Sequence, residues 1–324
     1  MTELGTKTFR VKAAQQWESL GLPFLLVMLV ILFSILSPFF RTQGNILSIL
    51  RFSSFIAIGA IGMTFCIMGG EFDISVGSML ALVGVLGASF APVIGGVGAV
   101  LATIVISSFL GMVNGLFVTK LRIPAFITTL GMMFIYRSLA YIYTDNVSVH
   151  IQDRFWLFIG NGRVLGIHFP IILMLVLFGA AYFILRKTPY GRYVIAVGTN
   201  SSAAELSGIN VDTIKIAIFV MVGFFVGIAS VVISANLGVA NPGLMGQGYE
   251  FQVITAVILG GTILGGGNGS LGGALIAAII LAVLRNGMGI LQVSSYWQNV
   301  VTGLVLIFAV ALNRVRYTLM GHEV

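Results

Sequence analysis

The run Ile56-Ala57-Ile58-Gly59-Ala60-Ile61-Gly62-Met63-Thr64-Phe65-Cys66-Ile67-Met68 passes without a charge into Gly69-Gly70-Glu71-Phe72-Asp73-Ile74-Ser75-Val76-Gly77, after which an apolar stretch resumes as far as Val93. Apolar segments on both sides of so short a polar break read as two membrane-spanning helices joined near the edge of a bilayer. A hydrocarbon core about 30 Å thick takes about 17–25 helical residues, and it offers backbone groups no partner outside the helix itself. Ten such runs can be read along the whole chain, near 22–38, 46–68, 76–93, 97–118, 125–144, 170–185, 216–238, 249–265, 270–289 and 296–313. The expected fold is therefore an all-α polytopic membrane protein with about ten transmembrane helices, some of them short or discontinuous.

Composition supports the same reading. Of 324 residues, 58% are hydrophobic and 8% charged, against about 25% charged in a water-soluble domain. The charges that remain are sorted by side. With the N-terminus inside, the inner segments carry Lys7, Arg10, Lys12, Lys120, Arg122, Arg186, Lys187, Arg192, Lys215, Arg314 and Arg316, and the outer ones only Arg41, Arg51, Arg154, Arg163 and Arg285. Because Lys and Arg resist translocation, both termini are expected in the cytoplasm: a cytoplasmic segment 1–21, a transmembrane domain 22–313 and a cytoplasmic tail 314–324. The first apolar run is followed by Ser37-Pro38-Phe39-Phe40 rather than a small-x-small cleavage site, and reads as an uncleaved helix. Glycine pairs four apart, Gly111 with Gly115, Gly223 with Gly227 and Gly269 with Gly273, are expected where helix backbones approach closely. The single cysteine, Cys66, reads as apolar filler.

Two polar interruptions exceed a turn. Residues 144–169 fall outside, and Asp145, Asp153 and Arg154 there are candidate contacts for an external partner, unless the loop is merely a solvated cap. Residues 186–215 fall inside, and Ser201-Ser202-Ala203-Ala204-Glu205-Leu206-Ser207 has the Ser start, early Glu and alanines of a short capped helix. The stretches 56–88 and 254–286 echo one another, each with a glycine-rich break between apolar runs, as internal transporter repeats do.

Glu71, Asp73, Ser75 and Arg137 are the candidate path residues, because an ionisable group at membrane depth costs roughly 3 kcal/mol on insertion scales and so usually faces a cavity or a partner. The alternative for the first three is a surface loop in which Asp73 or Ser75 caps the next helix. For Arg137 it is an interfacial anchor beside Tyr136, Tyr141 and Tyr143. The stretch Gly267-Asn268-Gly269-Ser270-Leu271-Gly272 matches a dinucleotide fingerprint, yet it lies between apolar spans, with no acidic residue before Glu323. No Gly-Lys dipeptide occurs, so the lysine of a phosphate-binding loop is missing. His150, His168 and His322 are far apart, with no metal-ligand spacing. No catalytic residue, bound metal or nucleic-acid partner is expected.

Four stretches together resemble the permease subunit of the ribose and monosaccharide class of ABC importers: Gly70 to Leu82; Ile123-Pro124-Ala125-Phe126-Ile127-Thr128-Thr129-Leu130-Gly131; Gly191-Arg192-Tyr193 with Gly198 to Ile209; and Gly248-Tyr249-Glu250 with Val257-Ile258-Leu259-Gly260-Gly261-Thr262. The resemblance runs from about Leu22 to Leu312. It implies a non-enzymatic subunit of the bacterial inner membrane, working as a homodimer or heterodimer of permeases. A separate ATPase binds ATP and Mg, and a periplasmic or extracellular binding protein delivers the sugar. It also implies that Gly198, Asn200, Ala203, Ala204, Glu205, Ser207 and Gly208 form the ATPase-coupling segment. One departure is Glu71-Phe72-Asp73-Ile74-Ser75, where such permeases commonly have Gly-Ile-Asp-Leu-Ser. Three rival readings remain: a branched-chain amino-acid permease of the same broad class, an ion-coupled secondary transporter, and a membrane enzyme using Glu71 and Asp73.

Overall fold

A computed structural model describes residues 21–319, with side chains as far as Asn313. Lys7, Arg10 and Lys12 of the N-terminal segment, and the side chains of the 314–324 tail, lie outside the described residues. Twelve α-helices follow one another among the described residues: α1 (Gly21–Leu36), α2 (Gln43–Met68), α3 (Val76–Lys120), α4 (Ala125–Thr144), α5 (Arg154–Asn161), α6 (Phe169–Lys187), α7 (Pro189–Thr199), α8 (Ser201–Leu206), α9 (Val211–Leu237), α10 (Tyr249–Leu259), α11 (Leu271–Ile290) and α12 (Ser295–Leu319). Seven of these are long and apolar enough to cross a membrane.

One boundary keeps to the sequence expectation and one departs from it. The runs 76–93 and 97–118 are the two helical halves of α3, which meet at a kink at the non-helical Gly95 (φ 74°, ψ 161°), just after Pro92. The run 249–265 stops early: α10 ends at Leu259, about 16 Å long at 1.5 Å per residue and so half a bilayer core. Gly260 to Ser270 continue it as irregular chain.

Small residues set the packing. Where α3 crosses α9, a Cβ added at Gly115 would stand 2.9 Å from the Cα of Ile216, and one at Gly227 2.9 Å from the Cα of Ile104. Gly111 and Gly223 face the opposite backbones in the same way, against Phe219 and Ser107. Two of the three glycine pairs thus build a single crossing too close for any side chain, where dispersion contacts replace the hydrophobic effect that lipid cannot supply. The third pair lies elsewhere, Gly269 against Met68 and Gly273 against Gly260. Phe65, Met79, Phe219 and Val253 are fully buried between α2, α3, α9 and α10, and Cys66 fills space beside them. Ile35, Val93, Ile142 and Phe308 remain exposed, as a lipid-facing surface requires.

One end of the bundle carries short β pairings. β1 (Val149–His150) pairs antiparallel with β4 (Val239–Ala240), and β2 (Arg163–Val164) with β3 (Ile167–His168). α5 lies between them. Its Trp156 is fully buried and donates its indole N–H to Ser234 Oγ on α9 at 3.1 Å, so 144–169 is a folded layer packed on the helices. Burial, reinforced by Arg51 and Arg163, holds the His168 imidazole below its ordinary pKa, which keeps it neutral at neutral pH.

Candidate functional site

The chain leaves α2 through Gly69 and Gly70 and re-enters helix at Val76. Between them Asp73 is 0% exposed. Its Oδ1 accepts from the Ser75 amide at 2.8 Å and the Ser75 hydroxyl at 2.6 Å, and its Oδ2 accepts from Asn114 Nδ2 at 3.1 Å. Asn114 in turn accepts from the Tyr136 hydroxyl at 2.8 Å, and Thr129 Oγ accepts from the Ile74 amide at 3.2 Å. A buried carboxylate is tolerable only with its lone pairs satisfied, and here the partners come from the far half of α3 and from α4. Ser75 occupies the N-cap position without a capping side-chain bond; Asp73 turns the chain by bonding forward to Ser75. Glu71 points elsewhere and forms an ion pair with Lys215, 2.5 Å away at the start of α9.

Arg137 makes its hydrogen bonds within the fold. Its guanidinium donates to the carbonyls of Pro242 at 2.6 Å, Met245 at 2.8 Å and, more weakly, Gly77 at 3.4 Å. It thereby pins the non-helical segment 241–248 to the start of α3. At the end of that segment Tyr249 donates its hydroxyl to the Phe55 carbonyl at 2.8 Å, and the carboxylate of Glu250 lies against Gly77. Reading the chain alone did not single out Asn114, and it quoted Tyr249 and Glu250 only as part of a resembling stretch, with no role assigned. Glu250 carried a signal, an acid at the head of an apolar run, whereas the partners of Asn114 are remote in sequence.

At the end that carries the Asp73 turn, α7 leads into α8. Asn200 caps α8, its Oδ1 accepting from the Ala203 amide at 2.9 Å, so the cap sits one residue before the Ser201 at which the helix starts. Gly208 (φ 84°) closes it, and Ser207 Oγ donates to the Ala203 carbonyl at 2.8 Å. Asn200, Ala203, Glu205, Ser207 and Gly208 are exposed and Ala204 is buried. Leu206, absent from the expected set, is 91% exposed. Just before α8, Gly198 is wedged between both helix breaks, its Cα side facing the Met68 carbonyl and the Gly267 amide. Those two bond to each other at 2.7 Å. Gly266 and Gly267 have φ of 84° and 78°, a region open to glycine at little cost. The two echoing breaks therefore meet at one point, with the end of α7 between them.

At the opposite end Asp145 and Arg154 are exposed, Asp145 closing α4 with φ 48°. Asp153 is occupied as the N-cap of α5, accepting from the Trp156 amide at 2.9 Å.

Residues 45–310 match the family described as branched-chain amino acid transport system / permease component. The chain is 41% identical to a ribose import permease of Bacillus subtilis over 96% of this chain and 98% of that one, and 41% identical to a ribose import permease of Haemophilus influenzae over 88% and 90%. It is 34% identical to an L-arabinose ABC transporter permease of Azospirillum brasilense over 93% and 89%. No solved structure matches. With the family covering most of its length and these relatives nearly all of it, the chain belongs to the transmembrane permeases of ABC import systems.

Proposed function

We propose that this chain is the membrane subunit of a binding-protein-dependent, ATP-driven importer of a monosaccharide in the bacterial inner membrane. It works as one of two paired permease subunits, with both termini cytoplasmic and ten segments at membrane depth. The observation that carries the reading is the junction at Gly198. A short capped helix bearing an exposed leucine projects from the bundle, and the backbone just before it touches both helix breaks at once. α8 with Gly198, Asn200, Ala203, Ala204, Glu205, Ser207 and Gly208 is the seat for a separate ATPase, which binds ATP and Mg, and Leu206 is its apolar anchor. Exposed apolar side chains of this kind, rimmed by polar groups, suit partner docking.

Motion of the ATPase shifts α7, the Gly198 wedge shifts the break between α10 and α11, and α10 carries the displacement to Tyr249 half a bilayer away. Alternating access then follows from two arrangements of that half-helix. In this mechanism Asp73 and Ser75 fix a wall of the path, Glu71 ties it to α9 through Lys215, and Arg137 holds the 241–248 segment in place. Asp145 and Arg154 are free to meet a sugar-binding protein on the outer face. The sugar names of the relatives favour a monosaccharide over a branched-chain amino acid.

Cysteine cross-linking tests the reading. Ser202→Cys is expected to cross-link to the co-expressed ATPase from the cytoplasmic side, and Leu206→Asp to abolish both that cross-link and uptake. Labelling of Ser202→Cys from outside intact cells, or uptake that survives scrambling of α8, would overturn it.

A further inference from the structure

Between α2, α9, α10 and α11, at the end opposite the Gly198 junction, lies a cavity of about 400 Å³, within the roughly 300–1,000 Å³ of small-molecule sites. Phe52, Phe55 and Tyr249 supply apolar and aromatic surface. Polar groups come from Asn236, Gln247, Gln252 and Arg285. Gln252 follows Tyr249 by three positions and so shares its helix face. Among the described residues neither Gln247 nor Gln252 has a side-chain hydrogen bond, Arg285 has no ion pair, and Asn236 uses only its amide N–H, donated to Asn161 Oδ1 at 3.0 Å. A fourth amide is already spent: Asn286 exchanges both of its bonds with Asn45, at 2.9 and 3.1 Å.

Uncommitted amides around an aromatic floor suit a particular ligand. Each amide offers a carbonyl acceptor and two N–H donors, which match hydroxyls that both donate and accept, while the rings cover the C–H faces between them. No Asp or Glu lines the cavity, and the neighbouring Glu250 lies against Gly77 on the α3 side. A zwitterionic amino acid would bring its ammonium there without a counter-charge, a desolvation that an apolar-walled site does not offset. Resting on the importer reading, we propose that this cavity is the sugar subsite of the path. It takes an uncharged monosaccharide ring, with Gln247, Gln252, the free Asn236 carbonyl and Arg285 bonding to its hydroxyls, and it is floored by the Tyr249 to Phe55 bond.

The test uses the complete importer, with its ATPase and binding protein, in proteoliposomes, and labelled ribose, arabinose and allose as probes. In Gln247→Leu/Gln252→Leu, uptake of the transported sugar is expected to fall at least about tenfold, because a site built to bond hydroxyls discriminates strongly once that bonding is lost. ATP hydrolysis stimulated by the loaded binding protein should stay within about twofold, which shows that the variant is folded and docked. Gln252→Asn, shorter but still an amide, is expected to recover part of the uptake. Unchanged uptake with ATPase stimulation intact overturns the subsite and leaves the importer reading standing. Failure of any binding protein to stimulate hydrolysis by the wild-type complex removes the importer reading, and the subsite with it.

Discussion

The break after α2 and the break after α10 are the same architectural device built from opposite materials. Residues 69–75 are held by side chains, with Asp73, Ser75, Asn114 and Tyr136 bonded in a closed, buried set. Residues 260–270 are held mainly by backbone and glycine: Gly261, Gly266 and Gly267 take positive φ, and the side-chain support is the Asn313 bond to the Thr262 carbonyl at 2.8 Å and the long bond from the Ser270 amide to Thr262 Oγ at 3.4 Å. A satisfied polar network in low dielectric is rigid and fails abruptly when one member is lost, whereas a glycine-rich connection deforms at small cost. Within one chain the first break is an anchor and the second a hinge.

Four substitutions probe that contrast. The largest effect is expected from Asp73→Ala, which strands Asn114 and Ser75 in the interior and should cost about 3 kcal/mol, read as a lower unfolding midpoint of the purified permease; an unshifted midpoint would break the contrast. Gly266→Ala adds about 1–2 kcal/mol of backbone strain and puts a Cβ 2.5 Å from the Gly198 carbonyl oxygen, so the junction must shift, and uptake should fall more than stability, as a hinge should. If it destabilises as much as Asp73→Ala, the second break is an anchor too. Lys215→Ala leaves Glu71, 8% exposed, without its cation, for a loss of about 1–2 kcal/mol. The smallest effect belongs to Lys120→Ala. Its 3.0 Å pair with Asp212 is largely solvated, worth less than about 1 kcal/mol and screened by salt, so its unfolding midpoint should match wild type at high ionic strength.

Much of this architecture was legible from residue order. The apolar runs fall on the observed helices because length and hydropathy are properties of a continuous segment, and Gly111, Gly115, Gly223 and Gly227 marked a tight crossing because close approach demands small residues at helical spacing. Where local pattern and geometry part, the reading fell short. The run 249–265 is apolar throughout, yet Gly260 and Gly261 end the helix early, which hydropathy alone does not register. Asp73 was narrowed to a cap or a path residue; its partners at Asn114 and Tyr136 lie on other helices, and only folding reveals that it is fully enclosed. Arg137 had the pattern of a snorkelling side chain, but the carbonyls it meets belong to residues 242 and 245, brought to it by the return of the chain after α9. The cavity drew on four helices, and no window of sequence contains it.

The two rungs between Val149–His150 and Val239–Ala240 tie the layer of residues 144–169 to the chain that goes on to form the cavity rim. Asn241 extends the tie by donating to Ser148 Oγ at 2.7 Å, three residues before Leu244 on the rim. A force applied to that layer would therefore reach the cavity rim directly, through a ribbon two residues wide.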